Sequence, residues 1–236
     1  DFIVRIKGPV VTSIMDSCLE IYPEEVKRRK LFAKEVHSYK ASFPTRVRIV
    51  ENSLFRKEIN QSYLDVFRES QKSLTIINSY FFPSTRVLHE LKKCSRRGVK
   101  VKVIFPRISD VPVLKYASEY LYLFLLKNDI EVYEWVHSIL HAKAATADGR
   151  WSTVGSYNMD HLSYYRNIEM NVEILDSHFS RMFTQVLDNI CDKGCEKISL
   201  DKISIWKTII NWMFFVVMRA LFFLESWGRK VLAPSP

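Results

Sequence analysis

His141 and Lys143 stand two residues apart, and after the Asp148-Gly149 pair comes Gly155-Ser156-x-Asn158. On an extended strand successive side chains alternate, so residues i and i+2 share a face. His141 and Lys143 therefore point one way, and Ser156 and Asn158 share a face on the returning strand. If the two strands pair, an imidazole, an ammonium, a hydroxyl and an amide converge. That set suits a phosphoryl centre. Lysine and asparagine hold phosphate oxygens as charge and donor, and an imidazole near neutrality is a nucleophile or a general acid. A single histidine on a strand is more often structural than catalytic; it is the constellation that points to catalysis.

The elements that must hold these residues alternate between strands and helices from about 46 to 194, which predicts an α/β fold, an αβα sandwich on a mixed central sheet. "VRIVEN" (47–52), "SLTIIN", "VKVKVIFP", "IEVYEW", "LHAKAATAD", "WSTVGSYN" and "NIEMNVEILD" read as strands. Apolar residues every four from Leu54 (Phe55, Ile59, Tyr63, Phe67) predict an amphipathic helix. "STRVLHELKKCSRRG" predicts a helix capped by Ser84 or Thr85 and stopped by Gly98. "VPVLKYASEYLYLFLLKND" reads as one apolar helix, and "SHFSRMFTQVLDNICDKG" as a helix with Ser177 at its N-cap and Gly194 near its end. The lysines of 99–103 belong on a solvated or helix-covered edge, not in a ligand site. Before this core, Phe2, Val4 and Ile6 alternate as a strand, residues 10–22 are helical, and residues 23–45 form a Pro-punctuated, charged connector with some helix.

The net charge of +9 suits an anionic partner, and a 47% apolar fraction excludes global disorder. Four cysteines in 236 residues do not form a disulfide framework, and Cys191 with Cys195 lacks a second ligand pair, so reduced structural thiols are expected. The tail, 203–230, is dense in large apolar and aromatic residues, yet Lys207, Asn211 and Arg219 interrupt it. An amphipathic helix lying in a membrane surface fits it best. Trp206, Trp212 and Trp227 would sit at headgroup level, with Arg229 and Lys230 toward anionic lipid. A helix packed on a missing domain or second copy, or a true span, are the alternatives.

Position by position, His141-x-Lys143, four residues, Asp148, six residues, Gly155-Ser156 and Asn158 match the HKD signature, and the chain is identified as a member of the phospholipase D superfamily. "GSYNMDHLSYYRNIE" resembles the bacterial cardiolipin synthase form, with Ser163, Asn167 and Glu169 in its downstream positions. "INSYFFPS", "RRGVKVKVIFP", Ser109-Asp110 and "NDIEVYEW" resemble the segments that precede the motif there. The resemblance implies a site without metal or cofactor. His141 would be a catalytic histidine to which the phosphatidyl group becomes attached. Lys143 and Asn158 would bind the phosphate, Ser156 would support the site, and Glu169 would orient the histidine. Asp148 belongs to the signature's catalytic set, though its place beside the turn suggests a structural part. His37, His89, His137 and His178 lack the motif context, and His161 reads as surface or structural.

Superfamily sites join two such motifs, and this chain carries one. "DFIVRIKGPVV" resembles the end of the first repeat of two-motif synthases, and no methionine precedes Asp1. The expectation is therefore a C-terminal half: 1–40 ending a preceding repeat and its connector, 41–195 the catalytic domain, 196–236 the membrane-associating tail. The function implied is a phosphatidyltransferase forming cardiolipin from phosphatidylglycerol and a second lipid through a phosphohistidine. The alternative is a phosphodiesterase, lipid hydrolase or nuclease, working as a one-motif homodimer. Expected partners are anionic phospholipid, the membrane surface at the cytoplasmic face of a bacterial inner membrane, and the N-terminal half or a second copy; no nucleic acid is expected.

Overall fold

Runs of β-branched and apolar residues make the strands, and three-to-four-residue apolar spacing makes the helices that cover them. The computed structural model describes residues 1–21, 45–53 and 55–232, with side chains to Leu224. The connector at 23–45 falls almost wholly outside the described residues, as do the side chains of Trp227, Arg229 and Lys230.

In chain order the elements are α1 (Val10–Ile21), β1 (Val47–Asn52), α2 (Glu58–Glu69), β2 (Ser73–Asn78), α3 (Thr85–Arg96), β3 (Lys100–Ile108), α4 (Pro112–Glu119) and α5 (Leu121–Leu126). Then follow β4 (Glu131–Ile139), β5 (Lys143–Ala147), β6 (Trp151–Gly155), α6 (His161–Tyr165), β7 (Glu169–Ile174), α7 (Ser177–Gly194), β8 (Cys195–Ile198) and α8 (Ile205–Leu232). They build the expected sandwich. One eight-stranded mixed sheet runs β1-β7-β6-β5-β2-β3-β4-β8. β2, β3 and β4 are parallel, and every other pairing is antiparallel.

Alternation along the central strands sends apolar side chains to both faces. Ile76, Val103 and Ala145 enter a core with Tyr63, Phe67 and Leu91 of α2 and α3. Ile77, Ile104 and Ala144 enter a second core with Phe183 and Leu187 of α7. Ser84 caps α3 by accepting from the Val87 amide at 3.3 Å, and Gly98 takes φ +87° just beyond its end.

Several expectations are corrected. Residues 1–7 pair with no described strand; Phe2 and Val4 instead pack on the second core. The helix expected from Leu54 begins at Glu58 and leaves Phe55 95% exposed, because a turn closes from the Ser53 amide to the Arg56 carbonyl and buried Asn52 accepts from the Ile59 amide. The long apolar helix breaks at Tyr120, whose ring packs 4.8 Å from Phe215 of α8. The cap of α7 is Asp176, accepting from the Phe179 amide at 2.7 Å. β3 is internal, not an edge, and Lys102 is covered by α7 through a 2.7 Å bond to Asp188. β8 has no counterpart in the sequence reading.

β7 buries its polar register. Glu169, Asn171 and Glu173 are buried while Met170 and Val172 are half-exposed. Burial without partners would cost several kcal/mol, and each is satisfied. Glu173 takes Arg48 Nε at 2.8 Å and the Ser62 hydroxyl. Asn171 donates to Thr153 Oγ1 at 3.1 Å and accepts from the Tyr157 amide at 3.3 Å.

α8 packs one face on α4. Asn211 donates to Glu119 at 3.0 Å, Tyr116 lies against Phe214, and the Arg219 guanidinium sits over the Phe82 and Phe215 rings while donating to the Pro83 carbonyl at 3.0 Å. Its other face leaves Trp206, Ile210, Trp212, Met213, Val217, Leu221 and Leu224 exposed.

Candidate active site

The motif residues gather where β5 enters and β6 leaves the sheet. His141 lies two residues before β5, Lys143 opens that strand, and Ser156 and Asn158 follow β6. All four line one open cavity of about 440 Å³, with Asp1, Phe2 and Ile3 along its side. His141 is exposed, and its Nδ1 lies 3.3 Å from Asp1 Oδ1. Burial and then the Lys143 charge pull the imidazole below its ordinary value, so it is mostly neutral at pH 7.

Lys143 is buried at 6% exposure, and its Nζ donates to the His141 carbonyl at 2.9 Å and to Ser79 Oγ at 3.3 Å. It makes no ion pair among the described residues. Burial brings its pKa down to about 8, against the opposing pull of Glu169, Asp110 and Asp160. An ammonium held without a carboxylate partner is prepared for an incoming anion.

Gly155 is required by packing. A Cβ there would meet Asn171 Oδ1 at 2.1 Å and the Met170 carbonyl at 2.3 Å. Its neighbour Ser156 is tied to β7, its Oγ accepting from the Met170 amide at 3.1 Å. The loop beyond is fastened by side chains. Buried Asn78 accepts from the Met159 amide at 3.1 Å and donates to the Tyr157 carbonyl at 3.3 Å. The Asn158 amide donates to Ser163 Oγ at 3.3 Å, and that hydroxyl donates to Glu169 Oε1 at 2.7 Å. The buried Asn158 Oδ1 takes no hydrogen bond from any described residue.

Glu169 thus stands behind Asn158, bonded to Ser163 and Asn167, and no hydrogen bond from His141 reaches it. Asp148 is not brought into the site. It sits at the far end of β5, roughly 17 Å from Lys143 at ~3.4 Å per residue. There it takes φ +53° and accepts the amides of Gln71, Lys72 and Ser73 at 2.8–2.9 Å. Burial pushes its carboxyl pKa up, but these amides outweigh that and hold it below the usual carboxylate range.

Three further groups border the site. The Tyr80 hydroxyl donates to both Asp110 oxygens at 2.7 and 2.8 Å, and Lys143 Nζ lies 6.0 Å from the Tyr80 ring. Burial and then Asp110 push Tyr80 up to about 12, and the Tyr80 bond holds Asp110 low. Asp160 is buried, which raises its pKa to about 6 although it accepts the Ser163 amide. The signal for Tyr80 and Asp110 was the pair "SYFFP" and "SD", but nothing in their spacing ties them together.

The four cysteines, Cys18, Cys94, Cys191 and Cys195, are free. His161 does not line the motif cavity; its ring stacks on Phe222 at 4.6 Å.

The family model described as "Cardiolipin synthase, PLD-like domain" matches residues 63–191. Cardiolipin synthase B of Escherichia coli (strain K12) is 32% identical over 234 residues, which cover 96% of this chain and 57% of that protein. Cardiolipin synthase A of Buchnera aphidicola is 27% identical over 222 residues, 91% of this chain and 46% of that protein. The chain therefore spans about half the length of the curated relatives it matches. Among solved structures, the phospholipase D family member Nuc of Salmonella typhimurium superposes with a TM-score of 0.56 at 16% identity, over 66% of this chain and 99% of that one. Phosphatidylserine synthase of Haemophilus influenzae gives 0.57 at 16% identity, over 76% and 46%. These two share the fold. On the matched model and the relatives together, the chain belongs to the cardiolipin synthase-like branch of the phospholipase D superfamily.

Proposed function

We propose that the full-length protein is a phosphatidyltransferase that forms cardiolipin from phosphatidylglycerol and a second lipid. The observation that carries this reading is the convergence of His141, Lys143, Ser156 and Asn158 on one cavity, with Lys143 buried and without an ion-pair partner among the described residues. The neutral imidazole of His141 attacks phosphorus, the P–O bond to the leaving glycerol breaks, and the alkoxide takes a proton from a second histidine. The acceptor lipid's hydroxyl then returns a proton to that histidine and attacks the phosphohistidine, forming the new P–O bond and releasing His141. The two histidines could exchange these parts. Lys143 and Asn158 would hold the non-bridging oxygens. Glu169 would fix the Asn158 loop through Ser163 and help keep Lys143 charged.

The second histidine would come from an N-terminal half carrying its own motif. Residues 41–195 would form the catalytic unit, 1–40 the end of that half with its connector, and 196–236 the tail. The apolar outer face of α8 and the +9 charge support work at an anionic bilayer surface, and the cytoplasmic face of a bacterial inner membrane would supply one.

The test is conversion of phosphatidylglycerol vesicles by full-length protein. Cardiolipin should form, and His141→Ala should lower the rate by roughly 10³-fold or more. Undiminished cardiolipin formation in that variant would refute the mechanism. Release of phosphatidic acid in place of cardiolipin would favour the phosphodiesterase reading.

A further inference from the structure

A second cavity, of about 580 Å³, lies beside the motif loop between the sheet-end segments and α8. Its size falls within the ~300–1,000 Å³ range of small-molecule sites. Phe82, Val87, Met159, Phe215, Val216 and Phe222 give it an apolar wall. Asn60, Asp160, His161 and Arg219 add polar groups to the lining, and among them the Tyr63 hydroxyl is buried and makes no hydrogen bond to any described residue.

Two features decide what such a cavity would take. First, it shares a partition with the phosphate cradle. Ser156 and Asn158 line the motif cavity, whereas Tyr157, Met159 and Asp160 line this one. The same short segment thus serves both spaces, and the bond from the Phe82 amide to the Met159 carbonyl at 2.8 Å pins it in place. Second, the cavity's outer wall is the helix whose far side is exposed and apolar. Val216 and Phe223 line the cavity and are themselves 43% and 67% exposed, so the cavity's rim runs into that outer surface. A hydrocarbon chain could pass from a bilayer into the cavity without crossing water, which is the favourable route for apolar surface.

We propose that this cavity holds one acyl chain of the phospholipid whose phosphate is bound by Lys143 and Asn158, an assignment that rests on the lipid-substrate reading above. The Tyr63 hydroxyl would donate to the ester carbonyl of that chain. The apolar burial would place the phosphodiester at His141 by anchoring the lipid at two points.

The test uses full-length protein and phosphatidylcholine vesicles containing phosphatidylglycerol with a photoactivatable diazirine in one acyl chain. After irradiation, label is expected on the Tyr157–Tyr165 segment. It should fall at least tenfold in Ala220→Trp and in Val216→Phe, which fill the cavity, and persist in Val217→Trp on the outer face. Thermal melting confirms that each variant is folded, and Val216→Phe at a half-exposed position guards against a misfolded Ala220→Trp. Label confined to the outward residues of α8, or undiminished by both filling variants, would overturn the proposal. Cardiolipin synthesis by the wild-type protein is followed in parallel. Internal label without synthesis would sink the transferase reading and keep the chain site; synthesis without internal label would do the reverse.

Discussion

Lys143 is the residue whose environment makes the sharpest demand. With its pKa near 8, its charge is lost well below the pH at which an ordinary lysine loses it. His141, Asp110, Glu169 and Asp160 are the charged or titratable groups that act on it or lie beside it. Phosphate affinity should therefore hold below pH 8 and weaken above it, with KM rising by up to about tenfold per pH unit; a flat KM from pH 7 to 9.5 would contradict this. The stability sign is opposite. A lysine whose folded pKa lies below its unfolded one makes the fold more stable as pH rises from about 8 toward 10.5. Asp148 makes a different prediction. Asp148→Asn keeps a residue type that tolerates positive φ but weakens three charge-assisted bonds, so about 1.5–3 kcal/mol should be lost in urea unfolding. Turnover by the remaining folded protein should change little. In the wild-type protein this stabilisation is present above the unfolded carboxyl value and is lost as pH falls through the depressed folded one. The motif was legible because its chemistry sits within eighteen consecutive residues, His141 to Asn158. Tyr80 and Asp110 were not, because their contact joins the ends of two parallel strands thirty residues apart in sequence.

At the scale of elements, patterning gave the sandwich and most of its strands, since their apolar runs face two helix layers. It was a poorer guide to ends and junctions. The start of α2 turns on a local turn and the Asn52 side chain, the break falls at Tyr120, whose ring packs on Phe215, and the cap of α7 is a single side-chain bond. β7 is the instructive case. Its polar residues are its buried ones, because Arg48, Ser62, Thr153 and Ser163 wait on neighbouring elements. No window of one strand shows that. The β6–β7 contact is correspondingly unforgiving: Gly155→Ala should cost about 3 kcal/mol in denaturant unfolding, as overpacking against backbone does, and a cost under 0.5 kcal/mol would show that the strands can part.

For the whole molecule, charge and apolar surface act together. Ser replacements at Trp206 and Trp212, both outward on α8, remove aromatic area without touching the α4 face. Binding to phosphatidylglycerol vesicles should weaken by on the order of tenfold, read by co-sedimentation, while the thermal midpoint stays within a few degrees. Raising salt should weaken the remaining binding further, since each basic residue near an anionic surface contributes ~1 kcal/mol that ions screen.

Arg219 adds a constraint on how the molecule can sit. It lies in the twenty-residue apolar stretch Ile205–Leu224, yet its guanidinium is clamped inward between two phenyl rings and the Pro83 carbonyl. Rolling α8 about its axis would swing that charge toward hydrocarbon and empty the clamp. The helix is thus keyed to the domain like a shaft with a flat, and if its exposed side meets a bilayer as proposed, it would fix the docking angle of this domain. A lipid surface meeting that side would find the cavity beside His141 at the same tilt and height each time, so capture would need no search over orientations.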